Sequence, residues 1–151
     1  MTRNEHDLHC KEIAETLEKY ISGDYFEHDG DLYPIDSEND FWNSEKYSYY
    51  LDDDGFYYYD IDGDKVNETD VEPASLWDYF ENDIYNIDYV VDSNKELEAV
   101  RVMIACGGPN IYINTWDKQV ELFWWSESGK YYLSSDVCDA INDYFEELWN
   151  C

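Results

Sequence analysis

The chain has 151 residues, 44% of them apolar, and 37 acids against nine bases give a formal net charge of −28. Its 16 tyrosines, six tryptophans and six phenylalanines exclude an acidic disordered tail, a class poor in aromatics. No apolar run approaches the roughly 18 residues of a membrane span, so one domain over residues 1–151 with a true core is expected.

Leu8, Ile13, Leu17, Tyr20 and Ile21 share one stripe, with Glu12, Glu15, Glu18 and Lys19 facing away. That periodicity predicts a helix over about residues 6–21, ended by Ser22-Gly23. No apolar run follows the first residues, so a signal peptide is not expected and a cytoplasmic location is.

Residues 24–92 hold 22 acids and two bases, Lys46 and Lys65, for a net −20, whereas the other 82 residues carry −8. Short strands are expected at Tyr25-Phe26, Asp31-Leu32-Tyr33, Tyr47 to Leu51 and Phe56 to Ile61. Asp52-Asp53-Asp54-Gly55 turns the last two into a hairpin over 47–61. The tyrosines of that hairpin alternate between faces, so some are expected at the surface, where they suit a protein interface or add bulk to a small sheet. A short helix after Pro73 is expected to turn Leu76, Trp77 and Phe80 inward.

From residue 84 the pattern sharpens. Tyr85, Ile87, Tyr89 and Val91 alternate with polar residues as in a half-buried strand, and Glu98 to Ala105 is a more apolar, interior strand. Gly107-Gly108-Pro109-Asn110 turns the chain and opens its most distinctive segment, which runs to Ile113. Ile111 to Asn114 and Val120 to Trp125 are strands joined by Trp116-Asp117-Lys118, and Glu127-Ser128-Gly129-Lys130 is read as the next turn. Ser134 or Ser135 caps a final helix with Val137, Ile141, Tyr144 or Phe145, and Leu148 inward. The expected class is α+β: an antiparallel sheet of about four to six strands with N- and C-terminal helices packed on it.

Chemistry-bearing patterns are few. Cys10, Cys106, Cys138 and Cys151 form no Cys-x-x-Cys pair, which favours free thiols over a zinc site or a disulfide framework. His6, His9 and Cys10 read as an exposed helix start with no second ligand cluster. Asp60-x-Asp62-x-Asp64 places Lys65 and Val71 where a calcium loop requires Gly and Glu. Glu121 near Trp124 and Trp125 fits a glycosidase cleft, yet among 37 acids such pairs arise by coincidence. No metal, cofactor or catalytic residue is therefore expected, and the chain is read as a non-enzyme.

The charge carries the functional signal. Duplex DNA bears one charge per ~1.7 Å, so −28 equals about 14 base pairs over ~48 Å. Three arrays stand out: Asp52, Asp53 and Asp54 in a turn; Asp60, Asp62 and Asp64 on alternate residues; and Asp136, Asp139, Asp143, Glu146 and Glu147 on the final helix. Each spaces carboxylates as basic side chains that grip successive phosphates would meet them.

On these arrays the chain resembles the DNA-mimic inhibitors that phages and mobile elements direct against host defence, the antirestriction and anti-CRISPR proteins. The resemblance implies a stoichiometric inhibitor that blocks the nucleic-acid site of a defence nuclease, and the eleven acids, singled out by their own spacing, are the expected partner-binding residues. The partner is then a basic nucleic-acid-binding protein, with no direct contact to nucleic acid or membrane. An immunity protein against a nuclease toxin shares the same electrostatics, and a small acidic enzyme or calcium-dependent module is the alternative of another class.

Overall fold

The structure, a computed structural model, describes residues 3–28, 30–35, 48–52, 55–59, 65–66, 73–81 and 84–150. Contacts group the chain into two compact units, Met1–Ile21 with Ser75–Cys151, and Ser22–Ala74. Among the described residues no helix is long and apolar enough to cross a membrane.

The first unit is α+β, as the sequence predicts. It comprises helix α1 (Arg3–Ser22), a short helix α2 (Leu76–Phe80), strands β6 (Asn86–Val91), β7 (Leu97–Ala105), β8 (Asn110–Asn114), β9 (Gln119–Trp124) and β10 (Glu127–Tyr132), and helix α3 (Ser135–Trp149). The strands form one antiparallel sheet in the order β10-β9-β8-β7-β6. Each joins its sequence neighbour, because only tight turns separate them. Asp92 sets one such turn by accepting the N–H groups of Asn94 and Glu96 at 2.8 and 3.0 Å.

Registers Val102↔Ile113, Ile113↔Val120 and Ile111↔Leu122 put the apolar alternates of β7, β8 and β9 on one face. Val100, Val102, Ile113, Val120 and Leu122 there are fully buried, as are Val137, Ile141 and Phe145 of α3. Burying each such side chain contributes about 1.5–3 kcal/mol, which makes this layer the main support of the unit. Thr115 fastens α3 to the sheet: its hydroxyl accepts from Val100 N–H at 2.9 Å and donates to Asn142 Oδ1 at 2.7 Å. Phe80 of α2 closes one end with its ring 5.0 Å from that of Phe145.

Four sequence expectations are corrected. Leu8 is 53% exposed; the buried face of α1 is His6, Cys10, Ala14, Leu17 and Tyr20. The close approach of α1 to β10 at Gly129, where a Cβ would lie 2.5 Å from His6 Cβ and 2.8 Å from Asp7 N, turns the His6 side of the helix to the sheet. For the same reason Gly129 belongs to a strand rather than a turn, a glycine in a strand marking close backbone approach. The turn lies earlier, at Trp125-Ser126, between the paired residues Trp124 and Glu127. Trp77 is 62% exposed although Leu76 and Phe80 are buried, since α2 spans little more than a turn and only residues four apart share its face. In α3, Phe145 rather than Tyr144 completes the stripe and Leu148 is 40% exposed.

The second unit carries 17 acids and two bases in Ser22–Ala74, a net −15. Strands β1 (Tyr25–His28) and β2 (Asp31–Pro34) pair across Gly30, whose φ of 85° suits a tight turn, with the rings of Phe26 and Tyr33 5.6 Å apart. Strands β3 (Ser48–Asp52), β4 (Gly55–Tyr59) and β5 (Lys65–Val66) form a three-stranded antiparallel sheet. The expected tyrosine hairpin is therefore present, closed where Asp52 pairs with Gly55.

Candidate functional site

Helix α3 begins where Ser134 Oγ accepts Val137 N–H at 3.2 Å and donates to Glu18 Oε1 of α1 at 2.7 Å. Asp136 in its first turn favours the positive helix start. Burial of Val137, Cys138, Ile141 and Phe145 then dictates the outward face. Asp136, Asp139, Asp143, Glu146 and Glu147 are all exposed, and at 100° per residue they fall within an arc of about 100°. Eleven residues at 1.5 Å rise separate the first from the last, so five carboxylates span about 16 Å, or about 4 Å per charge. One strand of DNA carries a charge every ~3.4 Å. The structure thus assembles this sequence-read array as a single ladder.

Of the other two arrays, Asp52 ends β3. Its side chain, together with Asp53, Asp54, Asp60, Asp62 and Asp64, lies outside the described residues.

The face of the sheet opposite the core is polar. Arg101, Tyr112, Asn114, Gln119 and Glu121 meet there because the registers Arg101↔Asn114↔Gln119 and Tyr112↔Glu121 align them across three strands. Arg101 Nε donates to Glu121 Oε1 at 2.9 Å, and its guanidinium lies 3.7 Å above the Tyr112 ring. Gln119 Nε2 and Asn114 Nδ2 donate to the two oxygens of Glu121 at 2.7 and 3.4 Å. Glu121, which the sequence placed beside two tryptophans, is therefore a buried carboxylate held by three donors. Its geometry ties β7, β8 and β9 together. Beside it a pocket of about 290 Å³ is lined by Asp7, Glu121, Phe123 and Lys130 among others.

A second pocket, of about 280 Å³, lies between the β7–β8 turn and the β9–β10 turn, lined by Gly107, Gly108, Pro109, Asn110, Phe123, Trp124 and Trp125. Asn110 Oδ1 fixes the first turn by accepting Gly107 N–H at 2.8 Å. Gly108 admits the Trp124 ring, whose nearest carbon would lie 3.0 Å from a Cβ there. Trp125 is 91% exposed. The sequence contains the signal for this cluster, an aromatic triplet and a Gly-Gly-Pro turn, but the pairing Asn110↔Phe123 that unites them is not legible from spacing.

The thiols divide by burial. Cys10 and Cys138 are buried and free, and Cys106 is exposed and free at the end of β7. Burial pushes the Cys10 thiol up to about 11, reinforced by the carboxylates of Asp7 and Glu121. Burial also raises Cys138, with Lys118 opposing and Asp139 adding to the rise. His6, expected at an exposed helix start, is fully buried, with Nε2 3.3 Å from Glu127 Oε2. Among the described residues no group of three or more His, Cys, Asp and Glu is placed to hold a metal ion. In comparisons with known proteins, no family model, curated protein or solved structure matches the chain.

Proposed function

We propose that the protein is a stoichiometric inhibitor that presents a nucleic-acid-like array of carboxylates to the basic groove of a nuclease, a host defence enzyme of the restriction or CRISPR type. The observation that carries this reading is the α3 ladder, five exposed carboxylates at about 4 Å per charge. The net charge of −28 supplies the field that steers it to a basic partner. A chain so charged repels nucleic acid, so its route to the nuclease is direct competition for the groove.

Steering and rim charge set the association rate, so binding weakens steeply as salt rises. The test is a set of cleavage reactions by defence nucleases, with toxin nucleases in parallel, titrated with the protein at low and high salt. Full inhibition at one equivalent, relieved by salt and accompanied by release of the DNA, supports the reading. Inhibition confined to toxin nucleases assigns the same surface to immunity. A gel shift of DNA or RNA by the protein itself overturns it.

A further inference from the structure

We infer that Phe123, Trp124 and Trp125 form the apolar anchor of the partner interface and receive an arginine side chain of the basic protein. This rests on the acidic-surface reading above and names the contact that holds what the charge attracts. Charge alone sets encounter rate and specificity more than affinity. Lasting complexes depend on a few buried Trp, Tyr and Arg contacts.

Three observations place that contact at the tip of β9–β10. First, Trp125 is 91% exposed and takes φ 56° as the first of two loop residues. Two-residue hairpin loops with positive φ there favour glycine, and a bulky residue in that region is an outlier. The fold gains no burial from this tryptophan, so its strain points to a contact outside the unit. Second, the pocket beneath it is built rather than incidental, with Trp124 lying against Gly108 in a turn fixed by Asn110.

Third, the chemistry suits a cation. The lining carries no charged side chain. Across the hairpin Glu127, its side chain 46% exposed, pairs in register with Trp124, and the whole chain is at −28. An indole face attracts a guanidinium, whose flat plane also stacks face to face on the ring. The same sheet already stacks one guanidinium in this way, Arg101 on Tyr112 at 3.7 Å.

The test uses the full chain and two fluorescent peptides, octa-arginine and octa-lysine, read by anisotropy at about 150 mM salt. The peptides carry equal charge, so long-range attraction holds them alike. Wild type is expected to bind the arginine peptide about fivefold more tightly. Trp125→Gly, a residue suited to that backbone, narrows the preference to within about twofold, the arginine peptide losing more affinity than the lysine peptide. Trp125→Phe retains part of the preference because a ring face remains. Equal affinity of wild type for the two peptides, or a preference unchanged in Trp125→Gly, overturns the anchor while the acidic surface stands. Failure of both peptides to bind contradicts the acidic-surface reading and the anchor with it.

Discussion

His6 and Gly129 are in backbone contact across α1 and β10: a Cβ on the glycine would lie 2.5 Å from His6 Cβ and 2.6 Å from His6 C. The neighbouring residues reinforce the contact, Lys130 N–H donating to Asp7 Oδ1 at 2.9 Å. The helix N-terminus is thereby seated on the outer strand of the sheet. Gly129→Ala has no flexible neighbour to displace, because two of the three nearest atoms are backbone. The variant is expected to lose about 1–3 kcal/mol of stability by overpacking. Urea titration checks it, and an unchanged midpoint would contradict the close approach.

His6 itself is fully buried, and among the described residues its Nδ1 finds no partner. An apolar side chain of similar size removes that unsatisfied atom and forfeits only the 3.3 Å contact to half-exposed Glu127. His6→Leu is therefore expected to hold stability or raise it by about 1 kcal/mol, whereas His6→Ala opens a cavity and lowers it by about 2 kcal/mol. The two melting curves measured side by side decide it. A loss in His6→Leu as large as in His6→Ala would show that the imidazole does more than fill space.

Alkaline pH should destabilise the protein in a defined window. Burial raises Cys10 from 9.0 to about 11, and burial with a contribution from Tyr20 raises Tyr79 from 10.0 to about 12. Both folded values lie above the unfolded ones, so the folded state holds its protons more tightly. This stabilisation is complete below about pH 9 and is lost as pH rises through the folded values. Cys10→Ser should flatten the fall between pH 9 and about 11 and leave the later part, due to Tyr79, in place. At pH 8 a thiol reagent mapped by mass spectrometry should label exposed Cys106 well before Cys10 or Cys138.

Periodicity made α1, the interior strand β7 and the acidic face of α3 legible, because each is long enough for a 3.6 or 2.0 repeat to emerge. Local pattern did not reveal which α1 face is buried. Leu8 is more apolar than His6, yet the close approach at Gly129 turns the His6 side of α1 to the sheet. The ordinary punctuation rule makes Gly129 a turn residue, but the turn falls on Trp125, a residue no turn rule favours. The triplet Phe123–Trp125 became a surface only through its cross-strand neighbour Asn110, a relation that depends on register rather than composition.

Glu121 is unsuited to charge reversal. Its carboxylate anchors Arg101 at 2.9 Å and accepts from Gln119 at 2.7 Å, so reversing its charge would unfold the sheet locally instead of probing binding. Exposed Glu81, Glu96 and Glu98 make the proper control. Asp139, Asp143 and Glu147, spaced four apart on the outer face of α3, are the test positions. Changing either trio to lysine alters net charge equally, so long-range steering is matched and only the local pattern differs.

The most direct measurement is the affinity of these two triple variants for a nuclease that the wild-type protein inhibits, after circular dichroism has shown both to be folded. Mimicry of a phosphate ladder predicts that the α3 variant loses at least about tenfold more affinity than the control, a gap of about 1.4 kcal/mol. Equal losses would mean that bulk charge rather than the α3 array does the binding, and would contradict phosphate mimicry.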